Sequence, residues 1–169
     1  VEKIEPVYKN GDVVSSTRIR TLVQDGQVEQ VRPLLGRYYQ VSGSVIQGHR
    51  RGGPILGIPT ANLKLVDELF PQPGVYAVWA ELEGDILPAV ANVGHNPTFG
   101  TNALSVEVHI LDFARDLYDK HLRINFVRRI RPEQKFAGIE ELKSQIHRDI
   151  DQARTMLSDP ETFIYTCKA

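Results

Sequence analysis

Apolar and polar residues alternate with a period of two through much of the centre of the chain. The clearest stretch spans residues 104–111, where Leu104, Val106 and Val108 occupy every second position. This pattern is typical of a β-strand with one buried face, because successive side chains of a strand point to opposite sides. Shorter strand-like segments follow the same rule, at residues 41–45, 61–65, 75–82, 86–93 and 122–126. Six strands at short intervals with few helices between them predict an antiparallel sheet closed into a barrel.

A period close to 3.6 replaces this alternation at the two ends of the chain. Near the C-terminus, Ile139, Leu142 and Ile146 begin a series spaced by three and four residues, which predicts an amphipathic helix. We expect this helix to cover one side of the barrel, and its N-terminal end is a candidate wall of a ligand cleft. Near the N-terminus, one short helix is predicted after the N-cap residues 15–17 and a second over residues 28–35. The predicted fold is mostly β, with a C-terminal amphipathic helix and a short helical N-terminal segment.

Composition and charge narrow the function classes. A net charge of −1 and an aromatic content of 8% do not suit an oligonucleotide-binding barrel, which interleaves basic and aromatic residues. The one cysteine, Cys167, excludes an internal disulfide and predicts a reducing, cytoplasmic setting. No apolar run approaches the roughly 20 residues that span a bilayer, so no membrane partner is expected. The first residue is Val1 rather than Met, which predicts that the chain is part of a longer protein.

The segment from residue 48 to residue 65 is the most distinctive part of the sequence. Its first ten residues hold four glycines and an arginine pair, namely Gly48, Arg50, Arg51, Gly52, Gly53 and Gly57. Glycine permits φ > 0 and a close backbone approach to a ligand, so the amides of such a loop suit an anion. The arginines suit phosphate oxygens in particular. A flexible glycine-rich hairpin without a ligand is the alternative interpretation.

Two oxygen-bearing side chains follow this loop. Thr60 and Asn62 stand at positions i and i+2, so in an extended chain both point to the same face. A hydroxyl and an amide oxygen on one face suit a hard cation such as Mg²⁺, whose other ligands are usually waters and phosphates. Ordinary turn residues are the alternative.

A series of motifs resembles the riboflavin kinase (flavokinase) family. In order they are Gly48 with Gly57-Ile58-Pro59-Thr60-Ala61-Asn62-Leu63, Gly74-Val75-Tyr76, residues 91–99 (ANVGHNPTF), residues 106–113 (VEVHILDF), Asp116-Leu117-Tyr118 and residues 130–136 (IRPEQKF). The resemblance covers roughly residues 37–155. It implies a six-stranded antiparallel Greek-key barrel with a C-terminal helix. It also implies a Mg²⁺-dependent transfer of the γ-phosphate of ATP to the ribityl 5′-hydroxyl of riboflavin, which gives FMN and ADP.

The resemblance implies roles for single residues on the phosphate side of the reaction. Glu107 falls at the position of the catalytic base, although the alternation alone favours a solvated strand glutamate. Thr60 and Asn62 fall at the metal position. The expected nucleotide-binding residues are Gly48, Arg50, Arg51, Gly53, Gly57, Thr60, Asn62 and Tyr118, and for Tyr118 a packing role is equally natural. The family usually carries a basic residue where this chain has Pro54, so Arg50 or Arg51 is expected to supply that charge.

Three residues are expected at the flavin. Arg131 offers a planar guanidinium and Phe136 a ring for stacking, and the resemblance puts Gln134 at a contacting position. The alternative is a local salt bridge for Arg131 and a core position for Phe136. A non-catalytic flavin-binding β-barrel is the rival function, which would need neither the metal pair nor the base.

The N-terminal residues carry a second resemblance. Residues 14–20 (VSSTRIR) resemble the final motif of the FMN adenylyltransferase module in bacterial bifunctional FAD synthetases. No His-x-Gly-His accompanies them, so this fragment is not expected to have adenylyltransferase activity. We interpret residues 1–36 as the remnant of that module with a linker, and residues 37–169 as the kinase domain. The full-length protein is then expected to carry an adenylyltransferase domain on its N-terminal side.

The kinase interpretation makes one geometric demand. The oxygens of Thr60 and Asn62, the carboxyl group of Glu107 and the amides near Gly57 must converge on one cleft. His109 shares the face of Glu107, and because the five histidines show no ligand spacing we assign it an orienting or structural role.

Overall fold

The computed structural model describes residues 5–9, 11–47, 57–65, 69–95 and 104–163. The strands are β1 (Tyr8–Lys9), β2 (Asp12–Val13), β3 (Tyr39–Ile46), β4 (Ala61–Leu65), β5 (Gly74–Leu82), β6 (Asp85–His95), β7 (Leu104–Ile110) and β8 (His121–Pro132). The helices are α1 (Ser16–Gln24), α2 (Arg32–Leu35) and α3 (Ile139–Leu157), with 3₁₀ turns at Val28–Gln30 and Pro160–Thr162. The loop residues Gly48, Arg50, Arg51 and Gly53 lie outside the described ranges. Within those ranges, no helix is long and apolar enough to cross a membrane.

Strands β3 to β8 close into a six-stranded barrel in the order β3-β4-β7-β6-β5-β8. All six neighbouring pairs are antiparallel. Strands β5, β6 and β7 form a meander, and β8 returns by a longer connection to pair with β5, which is the Greek-key arrangement. The predicted antiparallel Greek-key barrel with a C-terminal helix is therefore confirmed.

The alternating apolar residues fill the barrel. Val106 and Val108 of β7 are 0% and 1% exposed, and they share the interior cluster with Val41 of β3 and Leu63 of β4. Between β5 and β6 the chain reverses through Glu83 and Gly84, whose φ angles of 52° and 93° give the two-residue turn that matches strand twist. In β3, β4 and β7 the apolar side thus points inward, and the more polar side lies on the outer surface.

Strand β8 departs from the alternation, which is why the sequence predicts its end at residue 126 rather than 132. The register with β5 shifts twice, so that Val75 and Tyr76 pair with Arg131 and Arg129, two residues apart. The second shift leaves Val127 as the extra residue. A β-bulge adds one residue on one strand only and interrupts the period of two.

Helix α3 covers part of the outer surface of the barrel. Ala153 and Leu157 in its C-terminal half are buried in a second cluster, with Trp79 of β5 and Val127 of β8. The indole Nε1 of Trp79 donates a hydrogen bond of 2.7 Å to the carbonyl oxygen of Thr162, just beyond the helix. The prediction that the C-terminal helix covers one side of the barrel is confirmed, and the hydrogen bond from Trp79 ties the chain just after the helix to β5.

The N-terminal segment packs into one end of the barrel. Helix α1 begins at the predicted cap, where the Ser15 hydroxyl accepts a hydrogen bond of 3.3 Å from the amide of Arg18. The single helix predicted over residues 28–35 is instead a 3₁₀ turn followed by α2, because Pro33 has no N–H to donate and its ring crowds the preceding turn. Val28 is 0% exposed and belongs to the interior cluster of the barrel. The packing of Val28 joins the segments on the two sides of residue 36. The domain boundary proposed there stays a prediction.

We predict that Val28→Ala lowers the free energy of unfolding by about 1–3 kcal/mol, since it deletes methyl groups from a filled core and leaves a cavity. Chemical denaturation followed by tryptophan fluorescence measures the change. Val13→Ala is the matched control, because Val13 is 42% exposed and its truncation should cost less than about 0.5 kcal/mol. Equal losses of unfolding free energy in the two variants would show that Val28 does not contribute to the core of the barrel.

Candidate active site

The predicted site residues lie in one row across the outer surface of the barrel. Asn62 of β4 is the direct cross-strand partner of Glu107 in β7, and Glu107 is the partner of Asn92 in β6. Asn92 then pairs with Val75 of β5, and Val75 pairs with Arg131 of β8. Direct partners have Cβ atoms about 4.5–5.5 Å apart, so neighbouring side chains in the row are within reach of one another. The metal pair, the candidate base and the flavin-side arginine therefore share one face.

The burial pattern fixes the direction in which this row points. Val106 and Val108 face the interior, so Glu107 and His109 between and beyond them face outward and are half-buried. On β4, Ala61 and Leu63 are buried, which turns Thr60 and Asn62 to the same outer side. The carboxyl group of Glu107 and the turn at Pro59 are thus on the same side of the barrel. Thr60 and Glu107 line one cavity, described next, whereas Asn62 shares their face as the cross-strand partner of Glu107 and is not among the residues that line that cavity.

A cavity of about 470 Å³ lies between this row and helix α3. Its apolar wall comes from α3, and its lining includes Ile139, Leu142, Ile146 and Ile150. Polar groups line the opposite side, among them Thr60, Asn92, Glu107, His109, Arg131, Glu133 and Gln134. The N-terminal half of α3 is therefore a cleft wall, as predicted. A volume in the range of about 300–1,000 Å³ with an apolar lining and a few polar groups is typical of small-molecule sites.

The three predicted flavin residues line this cavity together. Phe136 is half-buried, and the guanidinium carbon of Arg131 lies 5.6 Å from the centre of its ring. Arg131 also forms a local ion pair, with Nη2 2.8 Å from Oδ2 of the buried Asp149. Both interpretations of Arg131 thus describe part of the structure, since it is paired locally and it lines the cavity.

A second, smaller cavity of about 330 Å³ is lined by residues of β3, β4 and β7 and by the segment that follows β7. Its lining includes Val45, Phe113, Leu117 and Tyr118, and Tyr118 is 47% exposed. Thr60 lines both cavities. Thr60 is therefore a boundary residue of both cavities.

The turn before β4 is tied directly to β7. The ring Nδ1 of His109 lies 2.8 Å from the carbonyl oxygen of Pro59, so Nδ1 carries the hydrogen and donates it. Gly57, at the end of the glycine-rich loop, has a φ of 69°, which favours glycine. His109 thus ties β7 to the residue directly before Thr60, and its orienting or structural role stays a prediction.

Among the residues the structure covers, no three His, Cys, Asp or Glu side chains group closely enough to hold a metal ion. The predicted Thr60 and Asn62 pair is of another kind, because its oxygens come from a hydroxyl and an amide. The nearby Glu107 adds a carboxylate on the same face. An all-oxygen donor set of this kind fits Mg²⁺ and does not fit a soft metal.

Sequence reasoning missed three polar residues of the cavity wall. Asn92 was noted only within a motif, yet it is the second cross-strand partner of Glu107. Glu133 lies so close over Gly94 that a Cβ there would be 2.5 Å from its Oε1. Asp149 lies in the apolar stripe of α3, between Ile146 and Ala153. A carboxylate within an apolar stripe is rarely buried without a partner, and this is the feature of the sequence that indicates it.

An exposed ion pair joins α3 to the segment that follows β7. Arg154 holds Asp112 through two hydrogen bonds of 2.7 and 2.8 Å. The bonds from Arg154 hold the pKa of the Asp112 carboxyl below its usual value, so the pair is present at neutral pH and is lost only as acid protonates Asp112. Asp112 immediately precedes Phe113 of the smaller cavity, so this pair ties the segment that begins there to the C-terminal half of α3.

Comparison with known proteins gives a consistent result. The family model for riboflavin kinase (flavokinase) matches residues 35–157. The chain is 40% identical over 157 residues to the bifunctional riboflavin kinase/FMN adenylyltransferase of Pseudomonas fluorescens, covering 92% of this chain and 50% of that protein. It is 41% identical over 154 residues to the bifunctional protein of Bacillus subtilis strain 168, with shares of 89% and 48%. The chain thus spans about half the length of the curated relatives it matches.

Two solved structures share the fold. One, described as a macrolide-efflux protein from Streptococcus pneumoniae, has a TM-score of 0.83 at 37% identity, covering 89% of this chain and 50% of that one. The other is riboflavin kinase from Trypanosoma brucei, with a TM-score of 0.53 at 22% identity and shares of 73% and 82%. The second likeness concerns the fold alone.

We predict that His109→Leu loosens the segment around Thr60 while leaving the barrel folded. Loss of one hydrogen bond worth about 1 kcal/mol raises local opening about fivefold, so amide hydrogen exchange at residues 57–61 should accelerate by that factor. Hydrogen-exchange mass spectrometry measures it. The control is His121→Leu, on the exposed start of β8, and unchanged exchange in His109→Leu would contradict the orienting role.

Proposed function

The chain belongs to the riboflavin kinase family, and from that membership and the site geometry we propose that it transfers the γ-phosphate of ATP to the ribityl 5′-hydroxyl of riboflavin, giving FMN and ADP. The observation that carries the proposal is that Thr60 borders both cavities, while Glu107 lines the larger one with it and is the cross-strand partner of Asn62. A phosphate group held at Thr60 would be within reach of molecules in either cavity. A single-substrate binding protein would have no need of two cavities that share a boundary residue.

The larger cavity suits the flavin. Its α3 wall is apolar, and the ring of Phe136 lies at its edge, so a planar tricyclic ring is desolvated on entering it. Asn92 and Gln134 offer amide groups to the polar rim of such a ring. The ribityl chain of a riboflavin bound there would extend along the row toward Glu107.

The smaller cavity suits the nucleotide. Val45, Phe113 and Leu117 offer apolar surface to a base, and Tyr118 adds an exposed aromatic ring. The phosphates would then run toward Thr60 and the glycine-rich loop. Gly48, Arg50, Arg51 and Gly53 are proposed to surround them, and Gly57 to let the backbone turn there.

Glu107 is proposed as the general base. A carboxylate on the outer face beside Asn62 and Asn92 is placed to accept the proton of the 5′-hydroxyl while that oxygen attacks the γ-phosphorus. Phosphoryl transfer has a loose transition state, so aligning the hydroxyl and neutralising phosphate charge matter more than complete deprotonation. The row supports both requirements, because Glu107, which would accept the hydroxyl proton, is on β7, and Asn62, on the side proposed for the phosphates, is on the adjacent strand β4.

Thr60 and Asn62 are proposed to hold Mg²⁺. Their hydroxyl and amide oxygens face the same side as Glu107, and phosphate oxygens and waters would complete the coordination. When bound, the ion neutralises charge on the transferring phosphate.

The context of the chain follows from its relatives. The bifunctional proteins that it matches carry a second activity in their names, FMN adenylyltransferase, and this chain covers half of each. We propose that residues 1–36 are the remnant of such a module, that the full-length protein joins it to the kinase domain, and that both work in the cytoplasm. A non-catalytic flavin-binding barrel is the remaining alternative, and it leaves the smaller cavity unexplained.

The purified chain mixed with riboflavin, ATP and Mg²⁺ should produce FMN and ADP in equal amounts. We predict that Glu107→Gln lowers kcat by roughly 100-fold or more, because proton transfer by a placed side chain contributes that much. Binding of ADP should stay within about twofold of the unsubstituted chain, since the base contacts the acceptor rather than the nucleotide.

Glu81→Gln is the matched control for this substitution. Glu81 is also a half-buried strand glutamate, but it pairs with Arg123 away from both cavities, and its variant should keep full activity. Riboflavin binding without any ADP formation by the unsubstituted chain would favour the non-catalytic barrel instead.

We further predict that Asn62→Ala raises the Mg²⁺ concentration needed for half-maximal rate by about tenfold, as is usual when a metal site loses one supporting group. A magnesium titration at saturating ATP and riboflavin measures it. Lys64→Ala is the control, because Lys64 is exposed on the same outward face of β4. A magnesium dependence identical in the two variants would remove Asn62 from the metal site.

A further inference from the structure

We propose that Asp149 is a positioning residue for the flavin: it fixes the guanidinium of Arg131 in the cavity wall, and through Arg131 it sets the affinity for riboflavin. The proposal rests on the proposed function, because it assumes that the larger cavity takes the isoalloxazine ring. Asp149 itself is 2% exposed and acts through Arg131.

Both carboxylate oxygens of Asp149 accept hydrogen bonds, from Arg131 and from Gln145. The Nε of Arg131 donates to Oδ1 and Oδ2 of Asp149 at 2.9 and 3.0 Å, and Nη2 donates to Oδ2 at 2.8 Å. Gln145, one turn earlier on α3, donates to Oδ1 at 2.9 Å. Both carboxylate oxygens are satisfied, so the acid has little freedom to turn and the guanidinium plane is held with it.

Stability alone does not account for this pair. Asp149 occupies a position in the apolar stripe of α3, and a buried ion pair is often no more stabilising than apolar side chains of similar volume. Its neighbours Ile146 and Ile150 on the same helix line the cavity directly. A carboxylate kept in such a place is better explained by what it does to Arg131.

The pairing determines which part of Arg131 remains for a ligand. Nε and Nη2 are engaged by Asp149, and Nη1 donates to the carbonyl oxygen of Pro132 at 3.1 Å. Phe136 lies 5.6 Å from the guanidinium carbon. Arg131 therefore presents a fixed positive charge and a planar face, and of its five N–H groups one on Nη1 and one on Nη2 are left for a ligand. Such a group suits a flat heteroaromatic ring with carbonyl groups at its edge.

The test measures riboflavin affinity directly, by quenching of flavin fluorescence, together with KM and kcat. Asp149→Asn keeps the size of the side chain and removes its charge. We expect the Kd for riboflavin to rise about tenfold, which corresponds to about 1.4 kcal/mol, while KM for ATP and kcat at saturation stay within about twofold. Asp151→Asn, an exposed acid on the same helix, is the matched control and should change none of these values.

A double variant separates positioning from folding. Arg131→Met with Asp149→Leu replaces the ion pair by apolar side chains, so it should melt near the temperature of the unsubstituted chain and still bind riboflavin about tenfold or more weakly. In the Arg131→Met background, Asp149→Asn should add little further loss of affinity, because the residue through which it acts is gone.

Several results would overturn the proposal. They are a lower melting temperature of Asp149→Asn with unchanged riboflavin affinity, normal riboflavin affinity of the double variant, and a chain that binds no flavin at all. If the unsubstituted chain binds riboflavin but makes no FMN, the proposed kinase function fails while the binding comparison still decides the role of Asp149.

Discussion

Closure of the sheet into a barrel decides where chemistry is possible in this protein, because it divides every strand into an inner and an outer face. Most of the inner face is filled by apolar residues such as Val106, and the smaller cavity reaches inner-face residues such as Val45 and Val108. On the outer face, the register of β7 against its two neighbours sets Asn62, Glu107 and Asn92 side by side. A slip of one residue in β7 would turn the glutamate inward and expose the valines, so the hydrophobic pattern itself protects the row.

Helix α3 meets the barrel in two different ways along its length. In its C-terminal half, Ala153 and Leu157 are buried against the sheet. In its N-terminal half, Leu142 and Ile146 face a cavity, and Ile139 is 53% exposed. Large apolar side chains left in this state are costly in water unless something covers them. One amphipathic stripe thus serves both as core and as the apolar wall of the cavity, and a flavin ring bound between helix and sheet would bury it.

The sequence predicts correctly those elements in which apolar residues recur at a regular period. Strand β7 and helix α3 follow clean periods of two and 3.6, and both are where the pattern puts them. The C-terminal end of strand β8 and the helix across Pro33 differ from the prediction, because bulges and a missing N–H interrupt the period. The site residues were found through motifs, but their arrangement in a row depends on pairing between distant strands, which no local pattern contains. Asp149 was missed for a related reason, because its partner lies 18 residues away.

The two bulges in β8 change how many side chains that strand can direct outward. Phe126 and Arg129 of β8 pair with the interior residues Val78 and Tyr76, and they are three positions apart rather than two. Two outward side chains therefore follow each inward one in this stretch. One short stretch can then hold the helix through Val127 and Ile130 and also place the guanidinium of Arg131 in the wall of the larger cavity. Helix docking and the shape of that wall consequently depend on the same few residues. A barrel of this design that evolved to accept a wider ring would have to alter both together.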